Sequence, residues 1–307
     1  MSVDRSSAAP PAPDRSHLAG ITLAVSGVLC FACMDTCAKW LNRTLPPAET
    51  VAIRYLGSFF FVLLLVKPWQ KPAVMRTHRL GLQCARSCCL VLGTLCSFTA
   101  LRYLPLTQVT SITFSAPLIV ALLAGPLLGE RIGPRRAVAV CVGFAGVLVA
   151  TRPTPGGLHP AALLCLGNAI TSAFYYIFTR RLAAHDQPET TLFYTSFVGS
   201  LVCLPMLPFV WVMPATWGAW LALLVLGALG ALAHWLLILA HKRTPASVLA
   251  PFFYAQLIGA AGLAWLAFGE IPTGWTILGG SIVLSSGLYL VYRERVRQKF
   301  PSSDVAL

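Results

Sequence analysis

Apolar residues along the chain gather into ten runs, separated by short segments that hold most of the charged residues. The runs cover residues 18–41, 48–66, 81–101, 105–128, 134–151, 159–181, 190–213, 216–241, 246–268 and 272–292. Each is close to the roughly 20 residues that a helix needs to cross a bilayer. None shows the period-two alternation of a barrel strand. Helices satisfy their backbone groups within the segment, as lipid requires. The pattern therefore predicts an all-α membrane protein with ten transmembrane helices. Residues 1–17, rich in Ala, Pro, Ser and Asp, read as a disordered cytoplasmic tail, and residues 293–307 as a basic, then polar, tail. A secretory signal is not expected, because the first run is long and ends at charged Asp35 and Lys39 without a small-residue cleavage site.

The segment YLPLTQVTSITFSAPLIVALLAGPLLGE, Tyr103 to Glu130, recurs in outline 140 residues later. Pro105 answers to Pro245, Ser111 to Pro251, Phe114 to Tyr254, Gly129 to Gly269 and Glu130 to Glu270. Pro47-Ala48-Glu49-Thr50 likewise matches Gln187-Pro188-Glu189-Thr190. The chain thus divides into two copies of one unit, residues 18–151 and 159–292, with five spans each. Five is odd, so the copies enter the membrane in opposite senses, and Glu130 and Glu270 end on opposite faces. Inverted repeats with a site between them are a transporter architecture. Pro117 and Pro251 are expected to kink the fourth and ninth spans and free carbonyls toward a cavity.

Composition sharpens this. Of 307 residues, 57% are hydrophobic and 11% charged, against about 25% charged in a soluble domain. The net charge of +13 does not point to nucleic acid, because the Lys and Arg sit in short loops between apolar runs. With the N-terminus inside, seventeen of the 23 fall in cytoplasmic segments. Three (Arg43, Arg102, Arg152) fall in outer loops, and three (Lys39, Arg54, Arg86) within spans. This bias predicts a multi-pass protein of the bacterial inner membrane with both termini cytoplasmic. The ten cysteines lie in apolar runs and compose neither a disulfide framework nor a zinc spacing. No cofactor or metal is expected. No G-x-x-x-x-G-K-[ST] occurs, so ATP is not the energy source within this chain.

Asp35 and Lys39 are four apart and share a face of the first span. Asp35 and Arg54 each lie roughly 9 Å below the outer surface at 1.5 Å per residue. The loop between their spans is short, which makes the two spans neighbours and an Asp35–Arg54 pair geometrically reasonable. An unpaired charge at a helix centre costs about 2.5–3.5 kcal/mol. Either this pair braces two helices while Lys39 snorkels outward, or the trio lines a cavity in which Asp35 titrates or grips a cation. Arg86, near the cytoplasmic end of the third span, either snorkels to phosphates, neutralises Glu130 or contacts the solute. The neutral candidates are Ser111 in the hydroxyl row of the fourth span, Asn168 and Tyr175 in the sixth, His234 in the eighth, and Tyr254 and Gln256 in the ninth. Most membrane hydroxyls bond their own backbone. His234 reads either as a proton-sensitive ligand or as a ring bonded to a backbone carbonyl. No clean Gly-xxx-Gly motif joins the glycine pairs of the fifth, eighth and tenth spans, so the oligomeric state is open.

Four motifs together carry a resemblance: Pro105-Leu106-Thr107, Ser115-Ala116-Pro117, Gly129-Glu130-Arg131 and Gly143-Phe144-Ala145-Gly146-Val147. In combination they resemble the EamA domain of the drug/metabolite transporter superfamily, and the resemblance extends over residues 18–292. Met34-Asp35 with Lys39, Arg54 and Arg86 is similar to the branch that includes S-adenosylmethionine carriers. The resemblance implies ten helices, a central cavity lined by both halves and alternating access, often with protons as coupling ion. It also implies substrates such as amino acids, nucleosides, vitamins or opine-type metallophores. The second half departs from the pattern, with Ile271 after Glu270 where the first half has Arg131, so a role for Arg131 does not carry over. The expectation is a secondary active transporter that exports a small polar or zwitterionic amino-acid-like metabolite, opine-type metallophores among them. Its partners are that solute, the lipid bilayer and protons. The alternative is uptake or exchange of S-adenosylmethionine or a similar solute. An intramembrane enzyme would need a nucleophile or acid/base pair at a membrane surface, and the spans hold neither a metal-type His cluster nor a paired carboxylate on one helix.

Overall fold

The computed structural model describes residues 15–128, 134–151, 159–244 and 246–299. Glu130 and Arg131, most of the expected N-terminal tail and residues 300–307 lie outside the described residues. In chain order the helices are α1 (Arg15–Leu41), α2 (Pro47–Val66), α3 (Leu80–Leu101), α4 (Leu106–Thr113), α5 (Ala116–Leu128), α6 (Pro134–Thr151) and α7 (Pro160–Leu182). There follow α8 (Pro188–Cys203), α9 (Leu207–Val210), α10 (Trp217–Arg243), α11 (Ala246–Leu249), α12 (Ala255–Phe268) and α13 (Gly274–Lys299). Among the described residues nine stretches are long and apolar enough to cross a membrane, and 137–151 of α6 is a shorter apolar helix. Together they make the ten spans.

Local chemistry sets the ends. Proline opens α2, α7 and α8, where its missing N–H has no partner to lose. Thr216 Oγ1 caps α10 by accepting from Ala219 N–H at 3.2 Å. The fourth span breaks between α4 and α5 at Phe114–Ser115, just before Pro117. The ninth breaks in the tight turn Ala250–Tyr254, which contains Pro251. Both kinks fall where the repeat places them, and Phe114 and Tyr254 pack ring against ring at 5.1 Å. Two boundaries differ from expectation. The seventh span ends at Val210 rather than 213, because Val212 N–H is bonded to Glu49 Oε2 at 3.0 Å instead of continuing a helix. Residues 293–299 continue α13, since that stretch holds good helix formers and the next proline is Pro301.

The most extensive packing is between the two copies. α1 lies along α10 and against α12, and α7 lies along α3 and against α5, which is the same pair of contacts with the copies exchanged. α2–α10 and α8–α3 repeat that relation, while α2–α8 and α6–α13 each join a helix to its own counterpart. α1 and α2 barely touch, because α10 comes between them. Where α2 crosses α10, Gly57 and Gly227 meet without side chains: a Cβ on Gly227 would lie 2.8 Å from Gly57 Cα. Large apolar side chains such as Phe60, Leu148, Leu221 and Leu266 are exposed, as a lipid-facing surface requires. Trp40, Trp69, Trp211 and Trp217 stand exposed near span ends, the level at which amphipathic rings favour the interface.

On the face where the basic loops gather, Asp186 ties the 67–79 segment to the α7–α8 turn. It accepts from Thr77 Oγ1 (2.5 Å), Gln83 Nε2 (2.8 Å) and His78 N–H (3.3 Å). Burial raises its pKa, but these hydrogen bonds outweigh burial and hold it below the ordinary carboxylate value.

Two outcomes follow from this packing. Gly227→Leu must push the α2 and α10 backbones apart, and overpacking of this kind costs about 1–3 kcal/mol; the thermal midpoint of the purified protein in detergent should fall. For Asp186, a depressed folded pKa means the contribution is full above the ordinary carboxylate range and is lost as pH falls through the lower folded value. Melting curves across acid pH should therefore show a drop that Asp186→Asn flattens.

Candidate functional site

Near the charge-poor face, α12 ends at Gly269 with φ +67°, a conformation glycine adopts freely. The turn brings Glu270 to Lys39: Nζ lies 2.5 Å from Glu270 Oε1 and also donates to the Leu104 carbonyl at 2.9 Å. Glu270 Oε2 accepts from Leu106 N–H at 3.1 Å, a free donor at the start of α4, where Pro105 offers no side-chain cap. The counter-ion of Lys39 is thus Glu270 from the other repeat, and Lys39 neither snorkels outward nor joins Asp35.

Asp35 and Arg54 do not form the direct pair that adjacency of the first two spans suggested. α10 separates those spans, and Asp35 Oδ2 instead accepts from Gln256 Nε2 of α12 at 3.3 Å. Arg54 is 3% exposed. Its Nε donates to Met34 Sδ (3.1 Å), its Nη1 to Thr94 Oγ1 (3.4 Å), and its guanidinium lies 4.7 Å from the Tyr55 ring centre. Arg86 is as deeply buried. Its Nε donates to Thr179 Oγ1 (2.6 Å), Nη1 to Thr195 Oγ1 (2.5 Å) and the Thr191 carbonyl (3.4 Å), and Nη2 to the Tyr175 hydroxyl (2.7 Å). It neither snorkels nor meets a carboxylate among the described residues.

Asp35 and His234 are half-buried and Tyr176 is 52% exposed. His234 packs edge-on against Phe31 at 5.0 Å. Its ring nitrogens have no protein hydrogen bond among the described residues, so the backbone-carbonyl alternative does not describe it. Asn168 bridges Thr113 Oγ1 and Ser172 Oγ, each at 3.2 Å, and so fastens α7 to the break in the fourth span. Tyr254 is 9% exposed and reaches α13 at Gly287. Ser111 bonds its own helix at Thr107 O (2.7 Å) and packs on Gly280 of α13, away from the charged centre. The structure thus pairs Asp35 with Gln256, sets Arg54 among Met34, Thr94 and Tyr55 and Arg86 among Tyr175, Thr179 and Thr195, and leaves Ser111 in helix packing.

The sequence reading missed Glu270, Tyr55, Thr94, Thr179 and Thr195 as partners. One signal was present: the offset of 140 lays Tyr175 on Asp35 and Thr179 on Lys39. Two charges of the first copy are thereby replaced by neutral hydroxyls in the second, and both hydroxyls turn up on Arg86.

A ten-span bundle of two inverted five-span units, with Asp35, Arg54 and Arg86 set among them, has the architecture of a membrane transporter. The chain belongs to the EamA-like transporter family, whose profile matches residues 18–152 and 159–293. It is 28% identical to the S-adenosylmethionine uptake transporter of Rickettsia prowazekii (strain Madrid E), over 92% of this chain and 95% of that one. It is 29% identical to the riboflavin transporter of Rhizobium johnstonii, over 94% and 96%. It is 27% identical to the pseudopaline exporter CntI of Pseudomonas aeruginosa (strain UCBPP-PA14), over 86% and 93%. One crystal structure superposes on 93% of this chain and 99% of its own with a TM-score of 0.62 at 18% identity, which supports the fold.

The Lys39–Glu270 contact makes a testable cycle. Removing one partner of a buried pair strands the other, at a cost of about 3–5 kcal/mol for full burial and less here, while replacing both is far milder. Lys39→Met and Glu270→Met should each lower the melting midpoint, and the double variant should recover most of the loss. Equal, additive losses would mean the two side chains act independently.

Proposed function

We propose that this chain is a secondary carrier of the bacterial inner membrane that exports a small amino-acid-like zwitterion by alternating access, with both termini cytoplasmic. The observation that carries the reading is the mixed charge of the interior. Among the described residues Arg54 has no carboxylate bonded to it, and the side-chain hydrogen bond to Asp35 comes from the Gln256 amide. A carboxylate and an ammonium on one solute suit these two groups. Asp35 can hold a proton or an ammonium but not both at once. Exclusive occupancy gives exchange, so protons moving inward drive the solute out. The basic loops on one face support the orientation, and the relative named for pseudopaline export supports the direction. A second reading, uptake or exchange of S-adenosylmethionine, is favoured by the relatives of that name, which match 92% of this chain.

Vesicle transport separates them. In inside-out vesicles with an acid interior, the exporter should accumulate labelled solute, and Asp35→Asn should abolish the pH-driven component and weaken substrate affinity. Full pH-driven flux with unchanged affinity in the variant removes Asp35 from the mechanism. Accumulation confined to right-side-out vesicles selects uptake.

A further inference from the structure

We propose that Arg86 is the receptor for a second anionic group of the solute, so that the transported compound carries two carboxylates per ammonium and is net anionic. This rests on the carrier reading above and narrows its substrate.

The inference starts from the charges in the interior. Lys39 and Glu270 cancel each other. Glu49 sits at the charge-poor end of α2, bonded to Val212 N–H. Asp35 lies close enough to Arg54 to offset some of its charge. Among the described residues Arg86 has no such neighbour: every hydrogen-bond acceptor around it is a hydroxyl or carbonyl oxygen, and the groups that act on it electrostatically are Tyr175 and Tyr55. Among the described residues the polar centre therefore holds two guanidiniums against one carboxylate.

A guanidinium at 4% exposure without a counter-ion is costly in a bundle that lipid surrounds. Its donors are nonetheless set out as a carboxylate would use them. Nε and Nη1 are pinned by Thr179 and Thr195, while Nη2 points to the phenol of Tyr175, whose ring also packs 4.3 Å from the guanidinium carbon. Tyr175 is half-buried and rests edge-on against Tyr176, which is 52% exposed. Of the four acceptors, the Tyr175 hydroxyl is the one at the end of a long side chain, and a change of rotamer moves it furthest. An arriving carboxylate takes its place on Nη2 and gains a charge-assisted hydrogen bond.

The two guanidiniums are tied through α3: Arg54 donates to Thr94, which lies eight residues, roughly 12 Å at 1.5 Å per residue, along that helix from Arg86. A solute whose ammonium meets Asp35 and whose first carboxylate meets Arg54 therefore has a second cation within reach on the basic side of the bundle.

The test uses a charge series on one scaffold. Purified full-length protein in lipid nanodiscs is titrated with L-methionine, with N-(1-carboxyethyl)-L-methionine, which adds one carboxylate, and with S-adenosylmethionine, which adds a sulfonium; thermal protection is read out. The added carboxylate should tighten binding by at least about tenfold over methionine, as a hydrogen bond to a charged group permits. S-adenosylmethionine should bind weakest. Arg86→Gln should erase the advantage of the dicarboxylate over methionine. Tyr175→Phe removes the competing hydroxyl while keeping the ring, so it should preserve or strengthen dicarboxylate binding; this variant decides the matter if Arg86→Gln does not fold. Equal affinity for methionine and its dicarboxylate, a preference for S-adenosylmethionine, or weakened dicarboxylate binding in Tyr175→Phe each overturns the assignment while leaving an amino-acid carrier. Protection by none of the three overturns the carrier reading itself.

Discussion

Two five-span units that run in opposite directions through one bilayer cannot stack side by side like beads. Each unit has polar groups that lipid will not solvate, and the surface available to cover them is the other unit. The structure answers this by interleaving: α1 is buried on α10 and α12, α7 on α3 and α5, and α2 on α10 and α8. Cohesion and the polar interior thus have one origin. The contacts that hold the halves together are also the walls around Asp35, Arg54, His234 and Arg86.

The charges inside follow a division of labour. Lys39 is neutralised by Glu270, which also closes the open end of α4, and this pair belongs to the scaffold. Arg54 and Arg86 are solvated by sulfur, hydroxyls, a carbonyl and aromatic faces instead of carboxylates. Neutral acceptors satisfy the donors without cancelling the charge. On the proposed function, such an environment keeps a cation ready for a partner that arrives and leaves, where a resident carboxylate would compete with the solute.

The spans, the repeat and its inversion were legible because lipid fixes helix length and an odd span count fixes orientation. The kinks at Phe114–Ser115 and Ala250–Tyr254 were legible because Pro117 and Pro251 lack the donor that a continuous helix needs. Partners were not. A short loop between the first two spans suggested that Asp35 and Arg54 meet, but loop length constrains only the ends of helices, and the length of α1 is spent against α10. Glu270 lies 231 residues from Lys39 in the chain. Nothing local links them, and only the rotation of one repeat onto the other brings them together. Asp186 and its three donors were invisible for the same reason, since the bonds reach back across more than a hundred residues.

The crossing of Gly57 over Gly227 bears on movement. Interdigitated side chains lock two helices in register, because turning one requires many rotamers to change at once. Here backbone rests on backbone with nothing to mesh. It is a place in the inter-repeat contact where one half can pivot on the other with little repacking. Arg54 lies one helical turn from it on α2. On the proposed function, a bearing beside Arg54 lets the mouth on either side open while the grip on the solute hardly shifts.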